Sequence, residues 1–136
     1  MAGRTFADPY VSINAVDLSA YVLSVDFVDK YNIHDNTAGA ALGTSNRAGI
    51  QNPSFSVTFL QDHTTGAVDQ TIGPLVGAAA FAIIYKPAGS VTATTNPKWT
   101  GNAVVESYPV GGTVAQQDEI TVTFLPAGKW TRATVD

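Results

Sequence analysis

Residues 54–62, SFSVTFLQD, alternate apolar and polar side chains with a period of two: Phe55, Val57 and Phe59 leave one face of a strand, Ser54, Ser56 and Thr58 the other. The same pattern returns near the C-terminus in EITVTFLP, residues 119–126, where Ile120, Val122 and Phe124 oppose Glu119, Thr121 and Thr123. Each predicted strand has one core face. The opposite faces carry hydroxyls where a strand open to bulk water would carry charge.

Periodicity places further strands along the chain. YVSINAVDLS from Tyr10 and YVLSVDFVDK from Tyr21 read as successive strands with a turn over Asp17 to Ala20, the second presenting Tyr21, Leu23, Val25 and Phe27 on one face. AFAIIYKP, residues 80–87, is a nearly continuous apolar run, the pattern of a strand buried on both faces. WTGNAVVESYPV sets Trp99, Ala103 and Val105 against Thr100, Asn102 and Glu106, and QDEITVTFLP and KWTRATV complete the strands.

Only Val68, Ile72, Leu75 and Val76 follow helical spacing, predicting one short amphipathic helix. Thr64 or Thr65 is its expected cap, Asp69 sits near its N-terminus, and Gly73-Pro74 kinks or ends it. Asp62 is expected to accept backbone N–H bonds where the strand turns toward the helix. The stretch from Asp29 to Gln51 has no sustained period and reads as a long loop. Irregular loops above about 12–15 residues are uncommon in compact domains and usually functional or disordered. The chain is therefore expected to be mainly β, with one helix near its middle.

At 136 residues, one domain spanning 1–136 suffices. Apolar residues make up 45% and charged residues 13%, so much of the surface must be uncharged Ser, Thr, Asn, Gln and Gly, which suits contact with other protein. A net charge of -4 with scattered basic residues argues against a nucleic-acid grip. The chain has no cysteine, so disulfides and thiolate metal sites are excluded. No stretch is long and apolar enough for a membrane span or an export signal, and a soluble, unsecreted chain is expected.

Catalytic chemistry finds no pattern. Ser, His and Asp occur without a G-x-S-x-G elbow, and His34-Asp35 and Asp62-His63 are adjacent pairs without metal-protease spacing. The glycines form no phosphate cradle. Trp99 and Trp130 lie on alternating strands, where packing is the common fate of aromatics. Arg4, Arg47 and Arg132 form no sequence cluster. No catalytic, cofactor-binding or metal-ligating residue is assigned, and no enzyme activity is expected.

The blocks in their order resemble the major tail tube proteins of long-tailed bacteriophages, of the siphophage type, particularly the compact form found in phages of Gram-positive hosts. The resemblance rests on Asp17, Leu18, Ser19 and Tyr21, then AGIQNPSFSVTFLQD, GAVDQTIGPLVG running into FAIIYKP, TNPKWTGNAVVESYPVGG and EITVTFLPAGKWTRAT. It implies a β-sandwich or barrel flanked by one helix, and subunits that form hexameric rings stacked into a hollow tube in the virion tail, assembled in the host cytoplasm. A tape-measure protein and terminator and tip proteins would be partners. Viral DNA would pass through the lumen without specific binding, and no membrane is involved.

On that reading the 29–50 loop, with Asp29, Asn36, Thr37, Leu42 and Arg47, would contact neighbouring subunits. The hydroxyl faces formed by Ser54, Ser56, Thr58, Glu119, Thr121 and Thr123 would line the lumen or meet another subunit. Related β folds serve as tail terminators, head-tail joining proteins and capsid decoration proteins. A carbohydrate-binding β-sandwich using Trp99 or Trp130 is the alternative from another class.

Overall fold

The two hydroxyl-bearing strands lie side by side. A computed structural model of the chain describes residues 6–39 and 42–135, which excludes Arg4. Its strands are β1 (Tyr10–Ile13), β2 (Val16–Asp17), β3 (Val22–Val28), β4 (Tyr31–Asp35), β5 (Asn46–Gln51), β6 (Ser54–Leu60), β7 (Phe81–Lys86), β8 (Lys98–Val105), β9 (Glu119–Pro126) and β10 (Thr131–Ala133), with one helix, α1 (Val68–Ile72). β6 pairs antiparallel with β9, setting Phe55 opposite Phe124, Val57 opposite Val122 and Phe59 opposite Ile120. All six are buried. Like faces therefore coincide across the ladder, as a two-residue period requires.

The main sheet has eight strands in the order β2-β1-β7-β8-β9-β6-β3, with β10 also on β8. Its edge strands, β2 and β3, are consecutive in the chain and joined only by Leu18–Tyr21, with Leu18 fully buried. The sheet must therefore curl until its edges approach, which makes an open barrel. Phe27 of β3 records the closure: its ring lies 5.7 Å from Tyr85 of β7 and 5.4 Å from Trp99 of β8, strands remote from β3 in the sheet order. Val68 and Ile72 of α1 and the following Leu75 join the same apolar core.

β9 and β10 share one edge of β8. β9 pairs with Ala103–Val105 and β10 with Lys98–Thr100. The break between them, at Gly128 with φ 122°, lets Trp130 turn inward, where it donates its indole N–H to the Asn102 carbonyl at 3.1 Å. Gly101 is required beneath it, because a Cβ there would land on the Trp130 indole. Trp130 is buried, and Trp99 packs against Phe27, Tyr85 and the Arg132 guanidinium. Neither ring offers the open platform that the carbohydrate-binding alternative needs.

Several local expectations change. The first hairpin turns at Asn14-Ala15, with φ of 50° and 67°, where a two-residue connection demands left-handed backbone, and a 3-10 turn over Ser19–Tyr21 takes the place of the expected Asp17–Ala20 turn. A bulge between Val22 and Ser24 ejects Leu23 from the core face of β3, leaving Val22, Val25 and Phe27 there. β7 is not buried on both faces, since Ala82 is exposed and Ile84 only half-buried on the side opposite Phe81, Ile83 and Tyr85. Neither Thr64 nor Thr65 caps α1; its N-cap is Ala67, without a side-chain bond, while Val76 is 39% exposed. Asp62 does accept the Thr64 N–H, at 2.9 Å.

The long loop also gains structure. β4 and β5 form a two-stranded ribbon that, among the described residues, pairs with no other strand. It projects from the end of β3 and β6 where Val28 pairs with Ser54.

Candidate assembly surfaces

Register turns the candidate hydroxyls into one surface. Thr58 lies opposite Thr121 and Ser56 opposite Thr123, and their hydroxyls bond across the ladder at 2.9 Å and 3.2 Å. Such cross-strand pairs each contribute about 0.2–1 kcal/mol. Ser54 and Glu119 lie on the same face at opposite ends of the β6–β9 pair. The structure thus brings together all of Ser54, Ser56, Thr58, Glu119, Thr121 and Thr123.

Strand β3 extends this surface with residues that the sequence reading passed over. Ser24 faces Thr58 and Asp26 faces Ser56. Their alternation with Val25 and Phe27 was the available signal, obscured because the bulge at Leu23 breaks the period. Over these three strands the outer face carries two carboxylates, Asp26 and Glu119, and no Lys or Arg. It is a weakly acidic, hydroxyl-rich wall.

The loop residues are distributed along the β4–β5 arm. At its base Asp29 accepts a bond from the Gln51 amide at 2.8 Å, and Gln51 in turn accepts the Trp130 backbone N–H at 2.7 Å. Farther out Asn36 donates its N–H to the Ser45 carbonyl at 2.9 Å, and the Thr37 hydroxyl accepts the Ser45 N–H at 2.6 Å. Arg47 lies opposite His34. Leu42 is fully exposed, and Ile33 and Ile50 are 60% and 77% exposed. An isolated two-stranded ribbon is marginally stable in water, and the exposed apolar side chains here are concentrated on one. Between the arm's base and the β9–β10 turn runs a groove of about 560 Å³, lined by Tyr31, Ile50, Gln51, Pro126 and Lys129 among others.

At the opposite end, a polar clasp ties the β8–β9 connection to α1. The Tyr108 hydroxyl donates to Asp69 at 3.0 Å and accepts from Gln61 at 2.7 Å, while His63 Nδ1 stands 3.3 Å from the other Asp69 oxygen. The Tyr108 hydroxyl and then His63 hold the Asp69 carboxyl below the ordinary aspartate range. The Thr64 N–H and hydroxyl do the same for Asp62, and Thr37 for Asp35. Burial pushes the Tyr108 phenol up. Among the described residues no group of three or more His, Cys, Asp or Glu could hold a metal. No helix among them is long and apolar enough to cross a membrane.

The sign of the aspartate shifts fixes a pH dependence. A carboxyl depressed in the folded state contributes stability that is full above its unfolded value and lost as pH falls through the folded value. Asp69→Asn should therefore be less stable than the wild type at neutral pH, and the two should converge below the ordinary aspartate value of 3.8. Urea unfolding of both proteins across acid pH checks this; a gap that stays constant would show that the clasp owes nothing to the charge.

No family model matches the chain, and no curated protein matches it. Solved structures nevertheless share its fold. One is a chain in the virion of a native gene transfer agent particle, with a TM-score of 0.76 and 10% identity over 96% of this chain and 99% of that one. Another is a chain in the tail of an empty gene transfer agent particle, refined with C6 symmetry, with a TM-score of 0.72 and 9% identity over 95% of this chain and 98% of that one. The mainly β architecture with one short α-helix is the fold observed, and these particle chains share it. Matching at such low identity means that the architecture is common to these chains while nearly every side chain differs.

Proposed function

We propose that this protein is the structural subunit of a phage-type tail tube, assembling into hexameric rings that stack around a channel for DNA. The observation that carries the reading is the fold shared, over nearly the full length of both chains, with a component of a C6-symmetric particle tail. The exposed apolar arm supports it as the link to neighbouring subunits, and the hydroxyl wall supports it as the lining of the lumen. A channel that conducts a polyanion without holding it must avoid clustered cations, since each Lys or Arg that neutralises a phosphate adds salt-sensitive affinity. The wall of Ser56, Thr58, Thr121 and Thr123, with Asp26 and Glu119, has none. Six-fold repetition would make it a continuous acidic and hydroxyl band.

In this role the protein performs no catalysis and resides in the virion tail after assembly in the host cytoplasm. Its partners are copies of itself, a tape-measure protein inside the growing tube, and terminator and tip proteins at its ends. Electron microscopy of the purified protein tests the reading. Long filaments of constant width, with six-fold symmetry and β6 and β9 facing the channel, are expected. Discrete rings that never elongate would point to a terminator or joining protein, and filaments with β6 and β9 on the outside would remove the lumen assignment.

A further inference from the structure

Gln61 holds both feet of one surface loop. It follows β6, and its backbone N–H donates to the Asp118 carbonyl at 2.9 Å while its side-chain amide donates to the Tyr108 hydroxyl at 2.7 Å. Its Oε1 accepts the Asp62 N–H at 3.0 Å, which fixes the side chain in place. Tyr108 and Asp118 bound the tip of the β8–β9 connection, so residues 109–117 form a strap whose two ends meet at one residue. In form it is an Ω-loop, a surface loop with adjoining ends.

Between its feet the strap has little to hold it. Every residue from Pro109 to Gln117 is exposed, Val110 and Val114 most conspicuously among the apolar ones. Within it the Gln116 N–H reaches the Thr113 carbonyl at 3.0 Å, in a turn that puts Ala115 at φ 69°, a left-handed conformation that disfavours a residue with a Cβ. The β7–β8 connection is built differently. There the buried Asn96 side chain accepts the Ala88 N–H at 2.8 Å and donates to the Gly89 and Val91 carbonyls at 2.9 and 2.7 Å, and Lys86 donates to the Ser90 carbonyl at 2.7 Å. That loop is fixed along its length, and the strap mainly at its feet.

α1 is tied to the same latch. The Tyr108 hydroxyl that accepts from Gln61 donates to Asp69 at 3.0 Å, and His63 Nδ1 faces the other Asp69 oxygen at 3.3 Å. The helix, Val68–Ile72, has no side-chain cap and is too short to persist by itself. Val68 and Ile72 anchor its inner side in the core, while Asp69 and Gln70 lie on the side that only the latch restrains. We infer that the strap and the outer side of α1 form one coupled unit, latched through Tyr108 and hinged on Gln61, which loosens while the barrel stays closed. Such local openings cost anything from almost nothing to the full stability of a domain, and here they break side-chain bonds at one end of the barrel without exposing its core. Coupling between two sites is reciprocal. A partner that touches Val110 or Val114 would be registered at α1, and a contact on α1 would be registered in the strap. The coupling holds whether or not the protein forms tubes.

Spin labels test this, and the absence of cysteine from the chain makes single-site labelling direct. The labels go on Thr113→Cys in the strap, Gln70→Cys on α1 and Thr94→Cys in the β7–β8 connection, all exposed positions. Each is combined, in the full chain, with Tyr108→Phe, Asp69→Ala or Gln61→Ala, and thermal melts follow the barrel. Tyr108→Phe keeps the ring and removes only the hydroxyl. Asp69→Ala should raise the mobile fraction at Thr113 roughly fivefold, and Tyr108→Phe that at Gln70 by a similar factor, the size expected for one hydrogen bond. Gln61→Ala should mobilise both, and Thr94 should respond to none of the three. A label at Thr113 or Gln70 that responds only to the substitution on its own element, or to none, would overturn the coupling. Mobility that rises equally at Thr94 would overturn it too, because the whole molecule would then be loosening together.

Discussion

Replacing residues 29–53 by a two-residue Asn-Gly turn should leave a folded monomer that no longer forms tubes. Val28 and Ser54 are direct cross-strand partners, so the excision leaves two strand ends that a two-residue hairpin turn spans. The arm pairs only with itself among the described strands, and most of its residues are exposed. What the monomer loses is the Gln51 bond to the Trp130 N–H and the burial of Pro53. The hydrogen bond is worth about 1 kcal/mol. What the assembly loses is the whole exposed apolar ribbon carrying Ile33, Leu42 and Ile50. Urea unfolding should show a modest fall in stability, while electron microscopy and sedimentation should show filaments replaced by monomer. Tubes of normal width from the shortened chain would assign the arm a role outside assembly.

Phe55→Ala should bring the largest loss of stability of any single truncation. Phe55 is 1% exposed, and its ring lies between 5.6 and 5.9 Å from those of Phe27, Tyr85, Phe124 and Trp130. These rings come from β3, β7, β9 and the β9–β10 turn, so no single segment can move in to fill the space. Such truncations cost about 3–5 kcal/mol, against a total stability of about 5–15 kcal/mol for a domain. Soluble yield should fall, and the urea midpoint with it. Thr58→Ala, one strand face away and bonded to Thr121 at 2.9 Å, should cost about 1 kcal/mol. Equal losses from the two substitutions would mean that the closure of the barrel does not rest on this aromatic cluster.

Much of this was legible in the chain. The two faces of β6 and β9 follow from a period of two, and that period is local: each residue's side is set by its immediate neighbours. For the same reason the hydroxyl character of Ser56, Thr58, Thr121 and Thr123 could be read before any partner was known. The apolar spacing of Val68, Ile72 and Leu75 likewise marked the helix that meets the core. The arm escaped because alternation records burial. Tyr31, Ile33 and Ile50 are exposed in the monomer, so β4 and β5 have no inner face for the sequence to encode.

Tertiary structure alone decided the rest. The hydroxyl wall exists because Thr58 and Thr121 are brought together across 63 residues of chain. The inward turn of Trp130 depends on the absence of a side chain at Gly101, and the bulge at Leu23 shows only in the register of β3 against β6. The polar clasp is the clearest case. Tyr108 stands far from Gln61 and Asp69 in the sequence and meets both at one end of the barrel. Antiparallel pairing returns the chain to the same end of the sheet at every second turn, so residues far apart in sequence accumulate at one pole, and no local pattern carries that information.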